Sequence, residues 1–156
     1  MRILLLAFLL VTQLAHGADL PGRVVRVVDG DTIVLEAGTE RHKVRLAGID
    51  APEKNQPWGE ASTRELRRQI AGRDVTVEWS KRDRYDRLIG VIRLDGEDVN
   101  LHMVDRGMAW HYKRYQAEQT PEDRKAYSAA EIDAQAARRG LWSEGDPVAP
   151  WEWRRR

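Results

Sequence analysis

Glycine cuts the first half of the chain into short β-patterned runs, and this punctuation limits the possible folds more than any other feature. The runs are Arg23 to Val28, Thr32 to Glu36, Lys43 to Ile49, Val75 to Trp79 and Leu88 to Leu94. Gly30, Gly38, Gly72 and the Asp95-Gly96 pair separate them, as turn residues separate strands. Between the third and fourth runs, "GEASTRELRRQIAG" predicts a helix ending at Gly72, with Ala61, Leu66 and Ile70 on its apolar side. "NLHMVDRG" predicts a short helix stopped by Gly107. "TPEDRKAYSAAEIDAQAARRG" predicts the longest helix, capped by Thr120, with Pro121 at its first position and Gly140 at its end.

The order β-β-β-α-β-β-α-α suits an α+β domain that is mainly β. Its closed form is a five-stranded OB-type barrel with about three helices packed outside. Periodicity alone leaves other α+β arrangements open.

Residues 1–17 stand apart from this pattern. "MRILLLAFLLVTQLAHG" has a basic start at Arg2, an apolar run from Ile3 to Val11, and small residues at Ala15 and Gly17. This is the layout of a secretory signal peptide cleaved after Gly17, and the run is too short to span a bilayer. The expected organisation is a signal peptide at 1–17, a domain at 18–143 and a tail at 144–156. The tail, "SEGDPVAPWEWRRR" from Ser143 onward, carries two tryptophans able to pin it to the body. Export implies a periplasmic or secreted protein, with no membrane association after cleavage. The chain has no cysteine, which excludes thiolate metal sites and cysteine nucleophiles. Lys and Arg number 26 against 25 Asp and Glu. Removing Arg2 with the signal leaves the balance at zero, so any nucleic-acid surface must be local.

Three motifs hold the residues capable of chemistry. In "DGDT", residues 29–32, Asp-Gly makes a hairpin turn. The turn leaves Asp31 unexplained at the mouth of a strand, where Asp is a poor strand former. In "VRLAGIDAPE", residues 44–53, Arg45 lies on a strand, Asp50 and Glu53 follow at its end, and Pro52 stops the ladder. Asp31, Asp50 and Glu53 form an oxygen-only set with no His or Cys nearby, a set suited to Ca²⁺ or Mg²⁺ and not Zn²⁺. Strict alternation would aim Arg45 and Asp50 at opposite faces, so a bulge at Gly48 is expected to re-aim the chain. In "KRDRYDRLIG", residues 81–90, Arg84 and Arg87 bracket Tyr85. Guanidinium groups beside a metal and carboxylates suit a phosphodiester, with a carboxylate taking the proton of attacking water.

"DGDT", "VRLAGIDAPE", "DRYDR" and "VNLHMVDRGMAW" together resemble the staphylococcal (micrococcal) thermonuclease family, in order and spacing, from about Gly22 to Trp142. The chain looks like a bacterial exported member. The resemblance implies an OB-type barrel that binds one Ca²⁺ and cleaves DNA and RNA to 3′-phosphates with low sequence specificity. It makes Asp31 and Asp50 calcium ligands together with the carbonyl of Ala51, where the type member has Thr, and it puts Asp29 in the outer shell. Glu53 becomes the general base, and Arg45 and Arg87 bind the scissile phosphate. Tyr85 lies beside the nucleotide, with Tyr112 or Tyr115 near the base. Two departures stand out. Asp86 replaces a usual Gly and is expected to compete for Arg87, and the loop after "APE" is the short "KNQPWGEAS".

His102, His111 and the tryptophans at 58, 79, 110 and 142 read as packing residues, and Arg154 to Arg156 as a solvated basic end. The expected partners are DNA and RNA, acted on by a monomer without a stable protein partner. The rival reading is a catalytically silent OB module that binds single-stranded nucleic acid, which would not need the carboxylates. Mass spectrometry of the exported protein should find Ala18 at its N-terminus. A protein that begins at Met1 and stays in the membrane would contradict the signal.

Overall fold

The computed structural model describes residues 18–156, so the proposed signal peptide lies outside the described residues. The strands are β1 (Ala18–Asp29), β2 (Thr32–Ala37), β3 (Glu40–Leu46), β4 (Ile49–Asp50), β5 (Asp74–Arg82), β6 (Leu88–Leu94), β7 (Glu97–Asp98) and β8 (Trp110–His111). The α-helices are α1 (Gly59–Ile70), α2 (Val99–Asp105), α3 (Pro121–Ala136) and the single turn α4 (Pro150–Trp153). Tight 3-10 turns cover Lys113–Glu118 and Gly140–Ser143. Among the described residues, no helix is long and apolar enough to cross a membrane.

The sheet runs β3-β2-β1-β5-β6-β7, and a parallel pairing of β3 with β6 closes its first five strands into a barrel with helices outside. The fold is the five-stranded OB-type α+β architecture that the run order predicts. Alternation fills the interior: Ile33 and Leu35, Val44 and Leu46, Val75 and Val77, and Leu88 and Ile92 are all buried. In β1 the inward residues are Val24 and Val27, three apart. Two register shifts against β2 account for the irregular spacing, one between Val24 and Arg26 and one between Val27 and Asp29. Such bulges strengthen strand twist and help a sheet curl shut.

Leu66 and Ile70 of α1, Met103 and Val104 of α2 and Tyr127 of α3 seal the outside of the barrel within the same core. On α1 the buried face also contains Ser62 and Thr63, whereas Ala61 is half-buried. Thr63 reaches that face by donating its hydroxyl to the Gly59 carbonyl at 2.9 Å. Buried Asn100 ties α2 to the barrel. It accepts from the Ile92 N–H at 3.1 Å and donates to the carbonyls of Ala47 and Gly90 at 3.0 and 3.1 Å, so no polar atom of its side chain is left unpaired. Thr120 caps α3 by accepting from the Asp123 N–H, with Pro121 in the first turn as predicted. The helix stops at Ala136, four residues before Gly140, where Arg138 takes a left-handed φ of 52°.

His111 of β8 is sealed beneath α3, 1% exposed. Its ring pairs through Nε2 with Gln119 Oε1 at 2.8 Å. Burial holds its pKa below 6.5, with the Gln119 hydrogen bond opposing the shift. A depressed histidine contributes stability that is complete above its unfolded pKa and lost as pH falls through the folded one. Chemical denaturation should therefore show stability falling below about pH 6.5, by up to about 1.4 kcal/mol per pH unit from this group. His111→Gln should remove that share of the slope; an unchanged profile would refute the assignment.

Candidate active site

The site forms where three chain segments meet at one end of the barrel. The first is the hairpin after β1. The Asp31 N–H donates to Asp29 Oδ1 at 3.1 Å, which tightens the turn and aims the Asp31 side chain inward. Asp31 Oδ2 accepts the Ala51 N–H at 2.7 Å and Oδ1 accepts the Thr32 hydroxyl at 3.1 Å. The poor strand former thus fastens its hairpin to the second segment.

That segment runs from β3 to Glu53. Gly48 has a left-handed φ of 75°, reverses the chain between β3 and β4, and is part of a turn, not a bulge within a ladder. The turn solves the facing problem, because Arg45 Nη2 now reaches Asp50 Oδ1 at 2.9 Å and Asp31 Oδ2 at 3.2 Å. Arg45 Nη1 donates to the carbonyls of Leu46 and Ile49 at 2.8 and 2.9 Å. Its guanidinium is therefore fixed from two sides. Buried Gln56 shapes the loop beyond, accepting the Glu53 N–H at 3.0 Å while its own N–H donates to the Glu53 carbonyl at 2.9 Å. Gly59 lies so close that a Cβ there would fall 1.9 Å from the Glu53 carbonyl oxygen. A side chain at 59 would push the Glu53 loop out of place.

The third segment is the β5–β6 hairpin. The parallel register pairs Val44 with Leu88 and Arg45 with Ile89, which brings Arg87, just before β6, near Arg45 on the adjacent strand. Arg87 is held by Asp83, with Nε and Nη2 at 2.8 and 2.7 Å from Oδ2, and its guanidinium lies 5.5 Å from the centre of the exposed Tyr85 ring. Burial pulls the Asp83 pKa upward, but the Arg87 side chain and the backbone N–H groups of Arg87 and Tyr85 hold it below the usual value. Asp86 does not compete for Arg87. It adopts a left-handed φ of 60°, a conformation that Asp tolerates better than most residues, and Arg82 pairs with it at 3.1 Å. Asp83 takes the role expected of Asp86, because the turn folds its carboxylate under Arg87.

Asp31, Arg45, Asp50, Glu53, Tyr85 and Arg87 border one cavity of about 690 Å³, together with Tyr112 and Tyr115. Tyr112 stacks on Trp151 with ring centres 5.3 Å apart, so one of its faces is covered. Tyr115 remains 44% exposed, beneath Lys81 and Arg114. Trp110 packs edge-on against Trp142 and Trp151, in keeping with a packing role.

Three site residues were missed by the sequence reading: Asp83 beneath Arg87, Gln56 and Arg154. Gln56 lies in the short loop, where a lone Gln carries no pattern. Arg154, read as solvated, donates to Asp50 Oδ2 at 2.8 Å and Glu53 Oε1 at 2.7 Å. Four carboxylates, Asp29, Asp31, Asp50 and Glu53, thus face two guanidiniums. Burial, then the neighbouring Asp31 charge, pushes the Asp29 carboxyl up to about 6. Burial likewise raises Asp50, against the opposing pull of Arg154 and Arg45.

Among the described residues, no three His, Asp or Glu side chains gather closely enough to hold a metal by themselves. The candidate donors are two carboxylates, Asp31 and Asp50, and the Ala51 carbonyl. Their chemistry fits a hard cation that keeps water in its shell. The positively charged Arg154 head already lies against Asp50, which shows that the cluster attracts a cation.

The model of the family described as staphylococcal nuclease homologue matches residues 43–144. That span includes Arg45, Asp50, Glu53 and Arg87 and begins after Asp31. An uncharacterized endonuclease of Escherichia coli O157:H7 is 44% identical over 140 residues, covering 89% of this chain and 88% of that protein. A micrococcal nuclease of Shigella flexneri is 35% identical over 164 residues, covering 99% and 92%. A probable staphylococcal-like nuclease of Oryza sativa subsp. japonica is 40% identical over 120 residues, covering 77% of this chain and 34% of the plant protein. By the matched family model and these relatives, the chain belongs to the staphylococcal nuclease family.

Proposed function

We propose that this protein is an exported, calcium-dependent phosphodiesterase that hydrolyses DNA and RNA with low sequence specificity and leaves 3′-phosphates. The observation that carries the reading is the convergence of Asp31, Asp50 and Glu53 with Arg45 and Arg87 on one cavity. A silent binding module would use the exposed Tyr85 and Tyr115 but would have no use for buried, mutually repelling carboxylates. The protein acts as a monomer, in the periplasm or outside the cell, without a stable protein partner.

Asp31, Asp50 and the Ala51 carbonyl hold the calcium, and Asp29 supports them from behind through its bond to the Asp31 amide. The bound ion supplies Lewis-acid stabilisation of the phosphoryl oxygens. Glu53 has a side chain 38% exposed, open enough to receive water and take its proton. Arg87 offers the phosphate its remaining donors while Asp83 fixes the plane of its guanidinium. Arg45 contributes a positive charge that its carbonyl partners keep from rotating away. Tyr85 flanks the nucleotide, and Tyr115, the more exposed ring, is better placed than Tyr112 to meet a base.

Plasmid digestion by purified protein should proceed with Ca²⁺ and stop with chelator; full activity in chelator would sink the calcium assignment. Glu53→Gln should lower kcat by about 10²–10⁴-fold, the usual cost of losing a general base, while calorimetry still detects Ca²⁺ binding. Asp31→Ala should instead weaken Ca²⁺ binding itself. Lys cannot reproduce a planar fork, so Arg87→Lys should lower kcat by roughly 10²-fold, on the scale of a lost oxyanion donor. Unimpaired kcat would shift the phosphate role to Arg84.

A further inference from the structure

Arg154 sits just beyond α4, in a part of the chain more than a hundred residues from its partners, and yet its guanidinium closes over the centre of the site. Nη2 donates to Asp50 Oδ2 at 2.8 Å, and Nη1 is 3.3 Å from Asp50 Oδ1 and 2.7 Å from Glu53 Oε1. The tail that delivers it is fastened at several points. Trp151 stacks on Tyr112 and packs edge-on against Trp110. Gln56 Nε2 donates to the Val148 carbonyl at 2.6 Å, Trp58 Nε1 to Glu144 at 2.9 Å, and Trp153 Nε1 to Asn55 at 3.3 Å. Gln56 also holds the Glu53 amide, so the tail and the Glu53 loop share an anchor.

We propose that Arg154 is an intramolecular latch, a tail-borne cation that occupies Asp50 and Glu53 in the metal-free protein and must leave Asp50 before a divalent cation can bind. The inference rests on the calcium reading above and extends it to how the site is regulated. An Asp carboxylate offers about four acceptor positions. Arg45 and Arg154 together make three contacts with Asp50. A calcium ion needs its oxygens at about 2.3–2.6 Å, and a guanidinium on the same oxygens blocks that approach by volume and by like charge. Arg45 cannot yield, because the Leu46 and Ile49 carbonyls hold it. Arg154 can, with a side chain 42% exposed beside open solvent. Its release also frees Glu53 to act on water. Metal binding and tail docking are therefore negatively linked, and the linkage acts equally in both directions. Arg156 is a natural control, since it lies over Trp153 with its guanidinium 5.6 Å from the ring centre.

Calorimetric titration of CaCl₂ into the wild type, Arg154→Ala, Arg154→Lys and Arg156→Ala tests the latch without any nuclease assay. A latch closed nine-tenths of the time weakens apparent affinity about tenfold. Arg154→Ala should therefore bind Ca²⁺ about tenfold more tightly and Arg156→Ala like the wild type. Arg154→Lys keeps the charge but loses the two-pronged contact, so it should fall between them, and it serves if the alanine variant does not fold. In the wild type, added Ca²⁺ should also speed amide hydrogen exchange across residues 150–156. Equal Ca²⁺ affinity in the wild type and both Arg154 variants overturns the latch and leaves the calcium reading intact. Weaker binding in Arg154→Ala also overturns it, by making Arg154 a support of the metal site. If neither wild type nor variant binds Ca²⁺, the calcium reading falls and the latch with it.

Discussion

The site depends on the guanidinium of Arg45. It contacts Asp50, lies within ion-pair distance of Asp31, and bonds the carbonyls of Leu46 and Ile49. One planar group thereby joins the first hairpin to the turn at Gly48 and fixes where both carboxylates point. A lysine ammonium is a point charge with no fixed fork, and it could not hold four acceptors in this plane. The parallel pairing of β3 and β6 puts Arg45 opposite Ile89, two residues beyond Arg87 on the neighbouring strand. Barrel closure and site assembly are thus one event, since the pairing that seals the core also brings the two arginines together.

The barrel was largely legible because its strands are long enough to show a period. Ile33 and Leu35 or Val75 and Val77 alternate cleanly, and Thr120-Pro121 announces α3. What escaped has a physical reason in each case. The pairs at β4, β7 and β8 are two residues long and too short to carry any alternation. The bulges in β1 leave Val24 and Val27 inward at a helix-like spacing. Asp31 was legible because Asp is a poor strand former at the mouth of a strand, and Asp50, Glu53 and Arg87 because, with it, they make an oxygen-only set beside arginines. Their partners were not. Asp83 reaches Arg87 through a turn geometry that a sequence pattern does not contain, and Arg154 reaches Asp50 only after the whole chain has folded.

A near-zero net charge hides this arrangement. Four of the acids gather at one end of the barrel, where burial amplifies their repulsion, and other charges lie in surface pairs such as Arg41 with Glu36 or Arg73 with Asp95. Exposed pairs of that kind contribute little to stability. The cations that matter are those desolvated with the acids. The tail then has a physical role beyond covering the aromatic cluster, because it brings a positive charge to a place the barrel itself does not supply.

Asp29 shows what that gathering costs. Its carboxyl is pushed up to about 6 from 3.8 by burial and by Asp31, a penalty on the charged form at neutral pH. By sign, this raised group favours the fold while protonated and opposes it as pH rises through about 6. A chain selected for stability alone would place Asn there, since an amide oxygen could accept the Asp31 N–H without the charge. The carboxylate is worth its strain only if a cation at the site benefits from it. Asp29 therefore favours a site built for more positive charge than Arg45 alone provides, whether from the tail or from a metal.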